Sequence, residues 1–292
     1  MKERILFIIN PISGIGKQKR AEAAINRYLD KTLFDFEIIY TQYAHHATAI
    51  CEHIVSEKSF QTVAIVGGDG SINDCVKGLV GSNVRLAIIP AGSGNGLART
   101  LKIPLTLRGA IAIINERKAV CIDTVALNDK IYASIAGIGF DALVAKEFSA
   151  TKIRGFIPYF QIVATHYPLY KPKKYSIKID KVPHNLTALF ICFANSTQFG
   201  YNTLVAPSAS LTDGQINVIC VKKIPIPFLP IVASFLFTKH FEQSTYVKSF
   251  QAKEILISNN GKIGINLDGE YFEEENDIRI SIKPRSLHVL IP

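Results

Sequence analysis

The stretch from Val63 to Val76, Val-Ala-Ile-Val-Gly-Gly-Asp-Gly-Ser-Ile-Asn-Asp-Cys-Val, constrains this chain more than any other. An apolar run from Val63 to Val66 is long enough for a buried parallel strand. It stops at Gly67-Gly68, after which apolar residues recur near helical spacing. This is a strand, a glycine turn and a helix start. Two glycines permit positive φ and let a ligand approach without meeting a Cβ, while Ser71 is a candidate N-cap with the amides behind it facing an anion. A phosphate cradle with a carboxylate, Asp69, inside it and an ordinary βα turn are both compatible with the local pattern.

The same sequence of elements recurs on either side. Arg4 to Asn10 reads as a buried strand, and the small-residue turn from Pro11 to Lys17 leads into a helix through about Asp30. Phe36 to Thr41 is the next strand, followed by a helix from about His46 to Lys58. Arg85 to Pro90 is another strand, with the loop Ala91-Gly-Ser-Gly-Asn-Gly-Leu-Ala-Arg-Thr100 behind it. Leu107 to Arg117 reads as a helix, and Ala119 to Ala126 as a strand carrying Asp123. In an open parallel sheet such loops gather at the carboxyl edge, where ligands bind. The spacing Gly92-x-Gly94-x-Gly96 is not the dinucleotide fingerprint, and no Gly-x-x-x-x-Gly-Lys-Ser/Thr occurs. Lys17 is placed to reach a phosphate, although a lone lysine at a helix start is more often solvated. His45 and His46 lack the i, i+4 spacing of a helical metal pair and read as surface residues.

Beyond Lys130 strands follow one another with little helix between: Ile131 to Ala136, Tyr175 to Asp180, Leu186 to Ala194, Gln215 to Val221, Glu254 to Ser258, Gly264 to Tyr271, Asp277 to Ile282 and Leu287 to Ile291. Helical segments around Phe156 to His166 and Phe228 to His240 interrupt them. The fold class expected is therefore two-domain, α/β plus β: a three-layer α/β nucleotide-binding domain over 1–127 and a β-sandwich domain over 128–282, with residues 283–292 returning to the first.

The chain has 292 residues, 48% of them apolar, enough for a substantial core. Its formal net charge of +9 favours an anionic partner. Five cysteines, odd in number and widely spaced, suggest neither zinc nor a disulfide framework, which fits a reducing cytosol. No apolar signal region opens the sequence and no 18-residue uncharged apolar run follows, so neither export nor membrane spanning is expected. Two segments nevertheless suit a bilayer surface. Between Leu143 and Asn185 there are eight Lys or Arg residues against two acids, interspersed with Phe156, Tyr159, Phe160, Tyr167 and Tyr170. Ile224 to Phe237 is uncharged and apolar but holds three prolines, so it lines an acyl pocket or forms a core helix.

A backbone cradle, a cation or metal and a carboxylate near the acceptor hydroxyl are what phosphoryl transfer needs, and each has candidates here. Gly67-Gly68-Asp69-Gly70-Ser71 with Asn73 and Asp74 resembles the signature of the diacylglycerol kinase catalytic family, which includes sphingosine and ceramide kinases and small bacterial lipid kinases. Supporting matches are Asn10-Pro11-x-Ser13-Gly14, Pro90-Ala-Gly-Ser93-Gly-Asn95-x-Leu-Ala98-Arg99, Gly139-Phe140-Asp141-Ala142, Asp213-Gly214 and Leu267-Asp268-Gly269-Glu270. Together they cover nearly the whole chain. The Gly-Gly-Asp-Gly element alone is less specific, since NAD kinases and phosphofructokinases resemble it.

The resemblance implies a kinase with ATP and Mg²⁺ in a cleft between the two domains. It implies a nucleotide loop of Gly67, Gly68, Asp69, Gly70, Ser71, Ile72 and Asn73, with Asn10, Lys17, Thr41, Gly92, Ser93 and Asn95 as further nucleotide-site residues. Asp69 would help hold the catalytic Mg²⁺ through water, with Asp123 a second candidate for that duty. The resemblance places the catalytic carboxylate in Asp268-Gly269-Glu270, with Asp268 favoured over Glu270, and a structural Mg²⁺ at the turn of Ser210, Asp213 and Gln215. By itself Asp268-Gly269 is also a common hairpin turn. The loop from Gly92 to Gly96 looks closer to the sphingosine and ceramide kinase version, which leaves the acceptor lipid open.

The expectation is an ATP-dependent lipid kinase acting on diacylglycerol, a sphingoid base, ceramide or phosphatidylglycerol. It is expected to be cytoplasmic, in peripheral contact with an anionic membrane, and a homodimer is a further expectation. The alternatives are a kinase for a soluble acceptor such as NAD and a non-catalytic, nucleotide-regulated lipid-binding module. Nucleic acid is not expected as a partner, because the charge is not organised as a nucleic-acid motif.

Overall fold

The computed structural model describes residues 2–12, 20–151, 155–259 and 261–292. It divides into two compact units, Met1–Thr124 with Pro284–Pro292, and Val125–Lys283.

In the first unit four parallel strands, β1 (Glu3–Ile9), β2 (Phe34–Tyr40), β3 (Thr62–Gly67) and β4 (Arg85–Pro90), lie in the order β2-β1-β3-β4. Every residue of β3 is buried, as a continuous apolar run in a parallel sheet requires. The helices are α1 (Ala21–Tyr28), α2 (His46–Glu57), α3 (Asp69–Leu79), α4 (Gly96–Thr100) and α5 (Leu107–Glu116). Ile72, Cys75, Val76 and Leu79 of α3 are buried at i, i+3, i+4 and i+7, a single stripe laid on the sheet. Thr106 caps α5 by accepting from the Gly109 amide at 3.2 Å.

The last nine residues complete this unit. Val289 pairs in parallel with Leu86 of β4, Gly81 N donates to Ser286 O, and Ile291 N donates to Lys118 O. The Asp123 carboxylate accepts from Arg285 N at 2.7 Å, and Thr124 N donates to the Ser286 hydroxyl. Asp123 and Thr124 lie on β5 (Ala119–Leu127), whose final residues belong to the second unit.

The second unit is built of β6 (Lys130–Tyr132), β7 (Ile135–Gly139), α6 (Phe140–Ala150), α7 (Phe156–His166), β8 (Lys173–Ile179), β9 (Val182–Ala188), β10 (Phe190–Ala194), β11 (Ile216–Val221), α8 (Leu229–Thr238), β12 (Val247–Ala252), β13 (Glu254–Ser258), β14 (Ile263–Leu267), β15 (Glu270–Glu274) and β16 (Ile278–Leu290). One antiparallel sheet runs β12-β11-β10-β7-β14-β15, and β16, β13, β8 and β9 are neighbours in another. Ile138, Ile191, Phe193 and Val218 of the first pack with Ile177, Ile255, Ile257 and Ile280 of the second in one core. In β8 alternation is strict: Tyr175, Ile177 and Ile179 are buried while Lys174, Ser176 and Lys178 are exposed.

Several expected elements are redrawn. The strands expected over 131–136 and 186–194 each divide. Leu189, between β9 and β10, carries the chain from the β8-β9 sheet to the six-stranded one. The strand expected over 264–271 is a hairpin turning at Asp268-Gly269. The two strands expected at 277–282 and 287–291 are one, β16, which continues through Lys283-Pro284-Arg285 because Arg285 takes φ 47° and its amide, turned from the ladder, is met by Asp123. Helix α6, whose sequence was read only as the Gly139-Phe140-Asp141-Ala142 motif, was not anticipated.

Tyr167, at the end of α7, packs with Phe140, Val144 and Leu189. Its hydroxyl donates to Ile224 O at 2.7 Å and accepts from Ile224 N at 2.9 Å. Lys223 Nζ donates to the Tyr167 and Tyr170 carbonyls. Tyr167→Phe leaves both backbone groups of Ile224 buried and unmatched, and is expected to lower stability by about 1–3 kcal/mol, read as the shift in chemical denaturation midpoint.

Candidate active site

Three loops meet at the carboxyl ends of β1, β3 and β4. Asn10 N donates to Val66 O at 3.1 Å, and Ala91 N to Gly67 O at 2.8 Å. Asn10 Nδ2 donates to Ser71 Oγ at 2.8 Å, while its Oδ1 accepts from Ile12 N. Thr41, at the end of β2, donates its amide to Ile9 O. Lys17 lies outside the described residues, as do Ser13 and Gly14.

Positive φ, one of the two uses expected of these glycines, is not what the structure shows. Gly68 has φ −94°, and neither Gly67 nor Gly92 has positive φ. What forbids a side chain is proximity. A Cβ on Gly92 would stand 2.5 Å from Gly68 Cα, and one on Gly67 would stand 2.5 Å from Ser71 Cβ. The two glycine loops are thus packed backbone against backbone. Ser71 is not the N-cap either; α3 starts two residues earlier, capped by Gly68, and the Ser71 hydroxyl accepts from Asn10 instead.

Asp69 fastens the second loop to the third. Its Oδ2 accepts from Asn95 N at 2.8 Å and its Oδ1 from Gly96 N at 2.7 Å, so one carboxylate closes the N-terminus of α4. Burial pushes the Asp69 carboxyl up from its ordinary pKa, opposed by those two amides and the nearby Arg99 guanidinium. Asn95 holds φ 54° and donates Nδ2 to Gly92 O, and Arg99 Nε donates to Gly94 O. Ser93 is half-buried between them. The Arg99 clamp was visible only as a motif letter. His45 is exposed as expected, but its Nδ1 lies 2.9 Å from Asp74 Oδ1, a partner its isolated sequence position did not suggest.

No side chain caps the α3 N-terminus, and the positive end of its dipole suits an anion. Deeper in that helix, Asn73 is buried with neither side-chain Nδ2 nor Oδ1 partnered among the described residues, and Asn95 Oδ1 is in the same condition. Buried polar atoms without partners are costly, and a polar ligand or ordered water satisfies them. Asp123, by contrast, is fully buried and engaged with the Arg285 amide.

In the second unit Asp268 and Gly269 have φ 49° and 92°, both positive, as a tight two-residue hairpin turn demands. The Asp268 carboxylate accepts from the amides of Ala133 at 3.2 Å, Ser134 at 3.2 Å and Ile135 at 2.7 Å. Glu270 opens β15 opposite Leu267. In the turn before β11, Asp213 Oδ1 accepts from Gln215 N at 3.0 Å, and Ser210 Oγ lies 3.4 Å from Thr212 Oγ1.

An α/β unit with interlocked glycine loops, followed by a β-sandwich unit with a carboxylate-bearing hairpin, has the makings of a phosphotransferase. The family model described as the diacylglycerol kinase catalytic domain matches residues 4–127, and that of the YegS C-terminal NAD kinase beta sandwich-like domain matches 134–291, more than half of the chain. The chain belongs to the diacylglycerol kinase catalytic family, in the form carrying this second domain, and is a lipid kinase by class. Relatives named diacylglycerol kinase include one from Staphylococcus saprophyticus, 27% identical over 277 residues that cover 93% of this chain and 90% of the relative. Another, from Staphylococcus carnosus, is 26% identical with the same coverage. The crystal structure of a diacylglycerol kinase from Bacillus anthracis str. Sterne has a TM-score of 0.77 at 20% identity, covering 99% of this chain and 97% of that one, and so shares the fold.

Proposed function

We propose that this chain transfers the γ-phosphoryl group of ATP to a hydroxyl of diacylglycerol or a closely related lipid. The observation that carries this reading is the locked set of three loops around the N-terminus of α3, which no side chain caps, with the buried Asn73 amide unpartnered among the described residues. The loops take the phosphates through backbone amides, and Asn73 and Asn95 supply polar atoms to the nucleotide. Asp69 would hold Mg²⁺ through water, and the ion would supply neutralisation of charge on the transferring group; the Asp69 carboxylate, which accepts from the Asn95 and Gly96 amides, keeps acceptor capacity for such a water. Asp268, with Glu270 beside it in sequence, accepts the proton of the lipid hydroxyl. Incubation with labelled ATP and a panel of diacylglycerol, sphingoid base, ceramide, phosphatidylglycerol and NAD tests this. Label is expected on diacylglycerol, and label on NAD but on no lipid defeats the reading.

The second unit supports a lipid acceptor at a bilayer surface. No described helix is long and apolar enough to cross a membrane. Ile224 to Phe237, rather than forming a core helix, exposes most of its apolar side chains: within α8 only Val232 is buried. Ile231 is 56% exposed and Phe237 53%, and on α7 Phe160 is 58% exposed. Both segments contribute to the same cluster through Tyr167 and Leu229, and Lys171, Lys173 and Lys174 are exposed just beyond α7. This apolar surface with its lysines suits an anionic interface. Cosedimentation with phosphatidylglycerol-containing vesicles is expected to weaken as salt rises, and Phe160→Ser with Ile231→Ser to weaken it at least ~10-fold. Salt-independent binding, or none, counts against this placement.

A further inference from the structure

A carboxyl that the phosphoryl-transfer chemistry does not use lies buried behind the catalytic hairpin. Asp141, in the first turn of α6, has Oδ2 so close to β7 that a Cβ on Gly137 would stand 1.9 Å from it. Gly137 is the register partner of Asn266 on β14. Asn266 Nδ2 donates to Asp141 Oδ2 at 2.9 Å, and Asn266 Oδ1 accepts from Gly269 N at 2.9 Å. A relay therefore runs from α6 through one side-chain amide to the turn that presents Asp268 and Glu270.

We propose that Asp141 is a positioning residue: it fixes which end of the Asn266 amide faces the Asp268-Gly269 turn and thereby holds the Asp268 and Glu270 carboxylates in place for transfer. The chemistry is one of donors and acceptors. An ionised carboxylate offers only acceptors, so it binds only the NH₂ end of Asn266, and the carbonyl end must then point to the Gly269 amide. A flipped amide sets NH₂ against N–H, and the turn loses its acceptor. Three amides of residues 133–135 hold Asp268 from the other side, so a loosened turn moves the carboxylate relative to that anchor.

The groups facing this carboxyl leave it sensitive to pH. Tyr159 of α7 and Cys192 of β10 both feel its charge and are held neutral by burial. Further along α6, Lys146 is engaged by Tyr271 and Glu273 of β15. Burial pushes the Asp141 carboxyl up to about 6, against the opposing pull of Asn266. Once protonated, Asp141 becomes a donor as well, and no longer dictates the direction of the amide.

This inference rests on the proposed lipid kinase reading only for its kinetic arm. In the full-length protein labelled with ¹⁵N at asparagine and glycine, the Asn266 side-chain amide and the Gly269 backbone amide are expected to move together with a midpoint near 6. In Asp141→Asn both inflections vanish. For that variant kcat falls by about 10- to 100-fold while KM for ATP and lipid changes less than about twofold, and the inflection of the wild-type kcat profile near 6 is lost, leaving only the acid limb of the general base. A Gly269 resonance indifferent to pH in the wild-type protein overturns the proposal, as does an inflection that survives in Asp141→Asn or a kcat that the variant leaves unchanged. If the variant does not fold, the wild-type titration decides alone. If no lipid is phosphorylated the kinase reading fails, while the resonances still judge the relay.

Discussion

Asp268→Asn is expected to reduce transfer of label from ATP to lipid by about 10²- to 10⁴-fold. Two physical losses act together. The amide lacks the basic oxygen proposed to take the acceptor's proton, and its NH₂ group enters a nest of three backbone N–H donors from Ala133, Ser134 and Ile135. The second loss costs on the order of 1–3 kcal/mol for each donor left unmatched, so thermal unfolding should shift as well. The loops proposed to bind nucleotide belong to the other unit, and ATP affinity should change little. Activity per folded molecule, measured well below the unfolding midpoint, separates the two losses. Wild-type turnover under those conditions would leave Asp268 as a turn anchor and nothing more.

Gly92→Ala is expected to weaken ATP binding at least ~10-fold and to destabilise the protein by about 1–3 kcal/mol. The added methyl has no direction to move in, because its nearest neighbours are the Gly68 backbone at 2.5 Å and Asn95 Oδ1 at 3.1 Å. Relief requires the loops to part, which stretches the Asp69 bonds to Asn95 and Gly96. Gly261→Ala is the matched control: a Cβ there meets nothing within 4 Å, and stability is expected to stay within about 0.5 kcal/mol of wild type. Calorimetric titration with ATP and denaturant melts measure both effects, and equal behaviour of the two variants would show that loop packing does not govern nucleotide binding.

The first unit was legible because buried parallel strands are continuous apolar runs, and each ended at a glycine or small-residue turn. Why the glycines are there was not legible. Local sequence suggests positive φ, whereas the cause at Gly68 and Gly92 is a second loop twenty-four residues away. Likewise Ser71 has every local credential of an N-cap, and only Asn10, in the loop behind another strand, reveals where its hydroxyl goes. In the second unit alternation gave the strands but not their ends. Lys283-Pro284-Arg285 looks like a break in β16 until Asp123, 162 residues earlier, takes the displaced amide. The hairpin dipeptide at 268–269 carried its turn signal, while the relay from Asp141 through Asn266 depends on a register between strands that no sequence window contains.

The first unit is discontinuous, and this sets a timetable for synthesis. Residues 284–292 supply the partner of Leu86, the amide for Asp123 and the contacts to Gly81 and Lys118. While a ribosome is still making the second unit, the glycine loops therefore hang from a sheet that lacks one of its strands. The older part of the chain must wait, partly assembled, for its youngest residues. A nascent chain halted before residue 284 should stay open to protease in its first 124 residues, long after their own sequence has emerged.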